Sequence, residues 1–86
     1  MVLKRKHQRT LGRIFANPAP ANIAWKDIEA LIVAAGGTLE QREGSRVAFE
    51  LRDVLYVFHT PHPGKEATRP MVRSVRGFLV RAGLTP

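Results

Sequence analysis

The Gly36-Gly37 pair divides this chain into two apolar rhythms, and that division constrains the fold more than any other feature. Before it, Trp25, Ile28, Leu31, Ile32 and Ala35 recur at steps of three and four, which puts them on one face of a helix. Asp27 and Glu29 fall in the first turn of that helix, where its dipole favours acids. A glycine just past the last turn takes the left-handed conformation that ends a helix, and the second glycine lets the chain reverse. After the pair, Val47, Phe49 and Leu51 alternate with Ala48, Glu50 and Arg52, the rhythm of a strand with one covered face. Thr38 to Arg42 reads as the strand before it, joined through a Glu43-Gly44-Ser45 hairpin turn. Arg52-Asp53 is then a tight connection into the apolar run Val54-Leu55-Tyr56-Val57-Phe58, which reads as a buried strand, so three antiparallel strands form a meander.

The flanks complete the outline. Pro70 suits the first turn of a helix whose Val72, Val75, Leu79 and Ala82 form one stripe, and Gly83 ends it. Gln8 to Phe15 carries Leu11, Ile14 and Phe15 at helical spacing until Asn17-Pro18-Ala19-Pro20 stops it, giving a short helix or a partly ordered arm. The expected order is helix, helix, three strands, helix, an α+β fold of two layers whose uncovered sheet face and loops are left for function. Residues 1–22 are expected to form a loose basic arm or short helix, and residues 23–86 the folded domain. With 86 residues and no cysteine, the core must suffice by itself or with a partner, which disfavours a deep enclosed pocket and suits work on an open face.

Fourteen Lys and Arg against seven Asp and Glu give a formal charge of +7, unevenly spread. Lys4, Arg5, Lys6, Arg9 and Arg13 open the chain without an acid, and Lys65, Arg69, Arg73, Arg76 and Arg81 near its end face Glu66 alone. Such clusters point to a polyanionic partner; for the N-terminal one a solvated, disordered tail is an equal reading, whereas for the C-terminal one phosphate contact is favoured. The basic N-terminus leads into no apolar h-region, and no apolar run reaches membrane-spanning length, so a soluble cytoplasmic protein without a membrane partner is expected.

The segment His59-Thr60-Pro61-His62-Pro63-Gly64-Lys65-Glu66 concentrates two of the three histidines at a Pro/Gly loop beside a lysine. Imidazole exchanges protons near neutral pH, which suits general acid–base work. Acid–base work on a polyanion's phosphates needs a base, an acid and a cation facing the phosphate oxygens, and His59, His62, Lys65 and Arg46 supply all three. Gly44 and Ser45 can offer backbone amides and a hydroxyl to a phosphate. Arg69, Arg73 and Arg76, at spacings of four and three, form a basic helix face fit for duplex phosphates. Each has a plainer alternative: a locally bonded strand-end histidine, a solvated loop histidine, an exposed strand arginine, a charged helix exterior. Tyr56 is the best base-stacking aromatic, although core placement suits it too, and Trp25 and Phe78 read as core. Two histidines three apart without a further His or Cys make a poor zinc site, and nothing resembles the nucleophile elbow of a Ser-His-Asp hydrolase, so neither metal nor cofactor is expected.

Taken in order, Ile28-Glu29-Ala30-Leu31 leading to Ala35-Gly36-Gly37, Gly44-Ser45 before a strand, His62-Pro63-Gly64-Lys65-Glu66, Val72-Arg73-Ser74-Val75 and Ala82-Gly83-Leu84 resemble the HicA toxin family over roughly residues 25 to 84. The resemblance implies a fold similar to double-stranded-RNA-binding domains, an mRNA-cleaving activity and a HicB antitoxin as protein partner. It also implies a catalytic histidine directly after the Gly-Ser pair, where this chain has Arg46. Two expectations follow: a ribonuclease whose chemistry rests on the remaining histidines, or an RNA-binding module of the same fold that does not cut.

Overall fold

The computed structural model describes residues 2–61 and 64–86. In chain order the elements are α1 (Arg5–Ile14), β1 (Ile23–Ala24), α2 (Trp25–Ala34), β2 (Thr38–Arg42), β3 (Arg46–Leu51), β4 (Val54–His59), β5 (Glu66–Ala67) and α3 (Arg69–Arg81). Strands β2, β3 and β4 form the antiparallel meander, with β3 in the centre. The helices lie on one side of it, so the fold is α+β, of the double-stranded-RNA-binding type with an added N-terminal helix. The two-residue strands β1 and β5 pair antiparallel as well, through Ile23↔Ala67 and Ala24↔Glu66. They are too short to leave a periodic signal, and the sequence reading missed them.

Alternation in β3 decides which face is covered. Val47, Phe49 and Leu51 belong to the core together with Ile28, Leu31 and Ile32 of α2 and Val72, Val75, Phe78 and Leu79 of α3. Trp25, Phe49, Phe58 and Phe78 form its aromatic centre, with Trp25 stacked on Phe49 at 5.5 Å between ring centroids. Between them, Arg46, Ala48 and Glu50 point to the face that no helix covers.

Helix α2 ends as its glycines require. Gly36 adopts φ +95°, while the Gly36 and Gly37 amides donate to Val33 O and Ile32 O. This is the paired closure in which a left-handed residue satisfies the last carbonyls. Gly37 has a second duty: a Cβ there would lie 2.6 Å from Glu50 O, so the end of α2 and β3 approach too closely for any other residue. At its start, α3 is capped by Thr68, whose hydroxyl accepts from the Met71 amide, with Pro70 in the first turn.

Two expectations change. The run Val54–Phe58 is an edge strand, because β4 has a partner on one side only; Phe58 is buried, but Leu55 is 54% and Tyr56 40% exposed. A continuous apolar run does not distinguish a central strand from an edge strand with one end under a helix. The N-terminal segment is also not loose. His7, Thr10, Leu11 and Ile14 of α1 are buried, and Leu11, Ile14 and Ala19 join the common core. Arg76 fastens the end of this segment by donating from Nε to Ile14 O (2.9 Å) and from Nη2 to Ala16 O (2.8 Å). Arg69 Nε does the same at Ala19 O, at 2.8 Å. Cations at the last carbonyls of a helix satisfy orphan acceptors and oppose the dipole.

Candidate functional site

The register of the meander assembles one end of the uncovered sheet face. The Glu43–Ser45 connection pairs Arg42 with Arg46, and the Arg52-Asp53 turn, with both residues at positive φ, pairs Arg46 with His59. Directly opposed residues of neighbouring strands share a face, so Arg42, Arg46 and His59 form one transverse row. All three are exposed. The next row is Glu40, Ala48 and Val57, and the one beyond it Thr38, Glu50 and Leu55, so positive charge is confined to the end nearest the Gly44-Ser45 turn. Arg42 was not among the residues singled out from the sequence. Counting outward from the turn would have found it, since the register alone puts it beside Arg46.

Each member of the row is held differently. Arg42 Nε meets Glu40 Oε1 at 3.1 Å, and Arg46 Nε donates to Glu43 O at 2.9 Å. That bond orients the guanidinium of Arg46 through one nitrogen, and among the described residues its two terminal nitrogens have no hydrogen-bond partner. The His59 ring has none either among the described residues. Gly44 and Ser45 both adopt left-handed φ, +70° and +63°, which bends the chain sharply just before Arg46.

The histidine-bearing loop is tied down at both ends. Thr60 donates twice to Ser45 O, from its amide at 2.8 Å and its hydroxyl at 2.9 Å, which joins the start of the loop to the Gly44-Ser45 turn. At the far side the Trp25 amide donates to Lys65 O at 2.9 Å, so the loop closes at the first residue of α2 and, three residues later, reaches the Thr68 cap of α3. His62 lies outside the described residues. Lys65 is exposed, and among the described residues no hydrogen bond links its side chain to Arg46 or His59.

A cleft of about 840 Å³ runs from this turn along the β4 edge to the first turns of α3. Ser45, His59 and Thr60 line one end; Thr68, Met71 and Ser74 line the other, with Tyr56 and Phe58 between. Arg81 stacks over the Tyr56 ring at 5.6 Å from its centroid, so Tyr56 is neither core nor a bare platform. Helix N-termini attract anions, and α3 opens onto the cleft with its N-terminal turn, although Glu66 also lines it.

The three arginines that the sequence groups on one face of α3 do not share an environment. Arg69 and Arg76 turn toward the N-terminal segment and bond its carbonyls, while Arg73 is exposed with no hydrogen bond among the described residues. The flank of α3 that faces the cleft carries Met71 and Ser74 instead. Among the described residues no group of three or more His, Cys, Asp or Glu is placed to hold a metal ion, and no helix is long and apolar enough to cross a membrane.

A family model described as the HicA toxin of bacterial toxin–antitoxin systems matches residues 25–84, from the first residue of α2 to just beyond α3. No curated protein and no solved structure matches the chain.

Proposed function

Because this chain belongs to the HicA toxin family of bacterial toxin–antitoxin systems, we propose that it acts on RNA at the basic end of its open sheet face, as a metal-independent endoribonuclease. The observation that carries this reading is the cross-strand pair Arg46–His59, an exposed imidazole beside an oriented guanidinium next to a glycine-containing turn. His59 in its neutral form takes the proton of a ribose 2′-hydroxyl, and the 2′-oxygen attacks the adjacent phosphorus. The bond from phosphorus to the 5′-oxygen breaks, leaving a 2′,3′-cyclic phosphate and a 5′-hydroxyl. His62 or Lys65 gives the leaving oxygen its proton. Arg46, with the amides of Gly44 and Ser45, faces the phosphate oxygens as their charge grows. Arg73 adds a phosphate contact on α3, whereas Arg69 and Arg76 act by holding the N-terminal segment. An acidic HicB-like antitoxin would neutralise the protein by covering this surface, in keeping with the charge of +7 and the single ion pair among the described residues.

The test is incubation of a long RNA with purified protein in EDTA, with His59→Ala and His62→Ala alongside. Cleavage that persists in chelator, ends in cyclic phosphate and is lost in His59→Ala supports the reading. Activity that vanishes with chelator and returns with magnesium contradicts it. One feature favours a second reading, RNA binding without cleavage: Arg46 occupies the position where the resemblance places a catalytic histidine. In that case the native chain is inert and Arg46→His creates cleavage, because an imidazole can shuttle the proton and a guanidinium cannot.

A further inference from the structure

Helix α1 lies outside the family match, yet it is built into the fold, and every charge on its outward face is positive. His7, Thr10, Leu11 and Ile14 mark the buried side. At 100° per residue the opposite side is Arg5, Arg9 and Gly12, flanked by Lys6 and Arg13. Arg5, Arg9 and Arg13 repeat at four residues, so like charges stand one turn apart, and the helix contains no acid to offset them. Such pairs disfavour a helix, which here is held by its buried side and by Arg76 at its C-terminal end. Asp27 of α2 lines the groove beside Lys6, Arg9 and Arg13, but no ion pair joins it to them among the described residues. A strip of unpaired cations that works against its own helix has its use with an outside polyanion.

We infer that the Arg5–Arg9–Arg13 strip of α1, with Lys6, is a second RNA-anchoring surface that binds the phosphate backbone away from the open sheet face. It rests on the reading that the protein acts on RNA, and extends it to a segment outside the family match. Successive arginines four apart climb about 6 Å along the helix, and each planar guanidinium presents a fork that suits phosphate oxygens. A membrane surface fits less well: a helix that lies in lipid needs a free apolar side, and the apolar side of α1 is occupied by α2 and α3. Because α1 packs on the helical layer, RNA held there leaves the Arg42–Arg46–His59 row uncovered. The anchor therefore raises the local concentration of strand at the sheet without blocking it.

The experiment measures binding of a fluorescein-labelled single-stranded 2′-O-methyl RNA oligonucleotide, which lacks the attacking hydroxyl, as a function of salt. Native protein is compared with Arg5→Gln/Lys6→Gln/Arg9→Gln and with Arg46→Ala. Glutamine keeps helix propensity, and Arg13 is left intact because it donates to Asn22 at 3.0 Å. The triple variant should bind at least about ten-fold more weakly near physiological salt, with a slope of log affinity against log salt shallower by about 2. Its circular dichroism melt should not fall, since the change removes repulsion; if the triple variant misfolds, Arg9→Gln alone should still lower the slope by about 0.7. Unchanged affinity and slope in the α1 variants, with binding lost in Arg46→Ala, would overturn this inference and leave the sheet site standing. A native protein that does not bind the oligonucleotide would overturn both. Unchanged RNA affinity with lost capture of a purified acidic antitoxin would also overturn it, in favour of a protein partner.

Discussion

Arginines at two ends of this small fold face opposite demands. Arg52 of the β3–β4 turn and Arg69 and Arg76 of α3 donate to backbone carbonyls far along the chain: Arg52 to Ala82 and Gly83 at the end of α3, Arg69 to Ala19, Arg76 to Ile14 and Ala16. At the sheet end Arg46 keeps only its Nε engaged and turns its fork to solvent beside His59. Of the first group, Arg76 bonds the last carbonyl of α1, a helix that ends without a glycine. The second group has no structural debt of that kind. Basic residues are therefore poor guides to a phosphate site by count alone; what separates these is whether the carbonyl they bond lies in a distant segment, as for Arg52, Arg69 and Arg76, or three residues away in the same turn, as for Arg46.

The largest effect expected from breaking this contrast is at His59. His59→Ala should lower the cleavage rate by about 10² to 10⁴-fold, the range typical of a lost general base, while the thermal midpoint stays at the native value because the side chain is exposed. Single-turnover assays and a melt on the same preparation check both halves. Next comes Arg76→Ala, which strips two carbonyls of a charged donor in a part-buried place and should cost about 1.5–3 kcal/mol of stability by denaturant titration. Arg52→Ala should cost less, about 0.3–1 kcal/mol, since it removes a mostly exposed cation from the C-terminal end of α3. Smallest is Arg73→Ala, neutral in stability and visible only as an RNA-binding salt slope shallower by about 1.

How much of this was legible in the chain follows from the range over which each signal acts. Helix α2, strands β2 and β3 and helix α3 were readable because periodicity, the Gly36 stop and the Pro70 start are local. The edge position of β4 was not, since Val54 to Phe58 carries no mark of whether a strand lies on its other side. The packing of α1 was hidden for a related reason: Leu11 and Ile14 announce an apolar side, but only Arg76, 62 residues from Ile14 in sequence, shows what fastens it. At the site, His59 and Arg46 could be named singly from their chemistry. Their pairing needed the register, and Arg42 emerged only with it. Spacing on α3 put Arg69, Arg73 and Arg76 together, and spacing cannot show that Arg69 and Arg76 already have acceptors.

The most direct test of the division between the two groups is a crossed comparison of Arg46→Ala and Arg76→Ala, each measured for single-turnover cleavage of a long RNA in EDTA and for thermal unfolding in the same buffer. The expected result is an exchange of phenotypes. Arg46→Ala should lose about 10² to 10³-fold in rate at a native midpoint, as for removal of a donor to a developing oxyanion. Arg76→Ala should lose several degrees in midpoint and, assayed well below it, cleave at the native rate. Full activity in Arg46→Ala together with lost cleavage in a folded Arg76→Ala would contradict the assignment and move the site to the helical face.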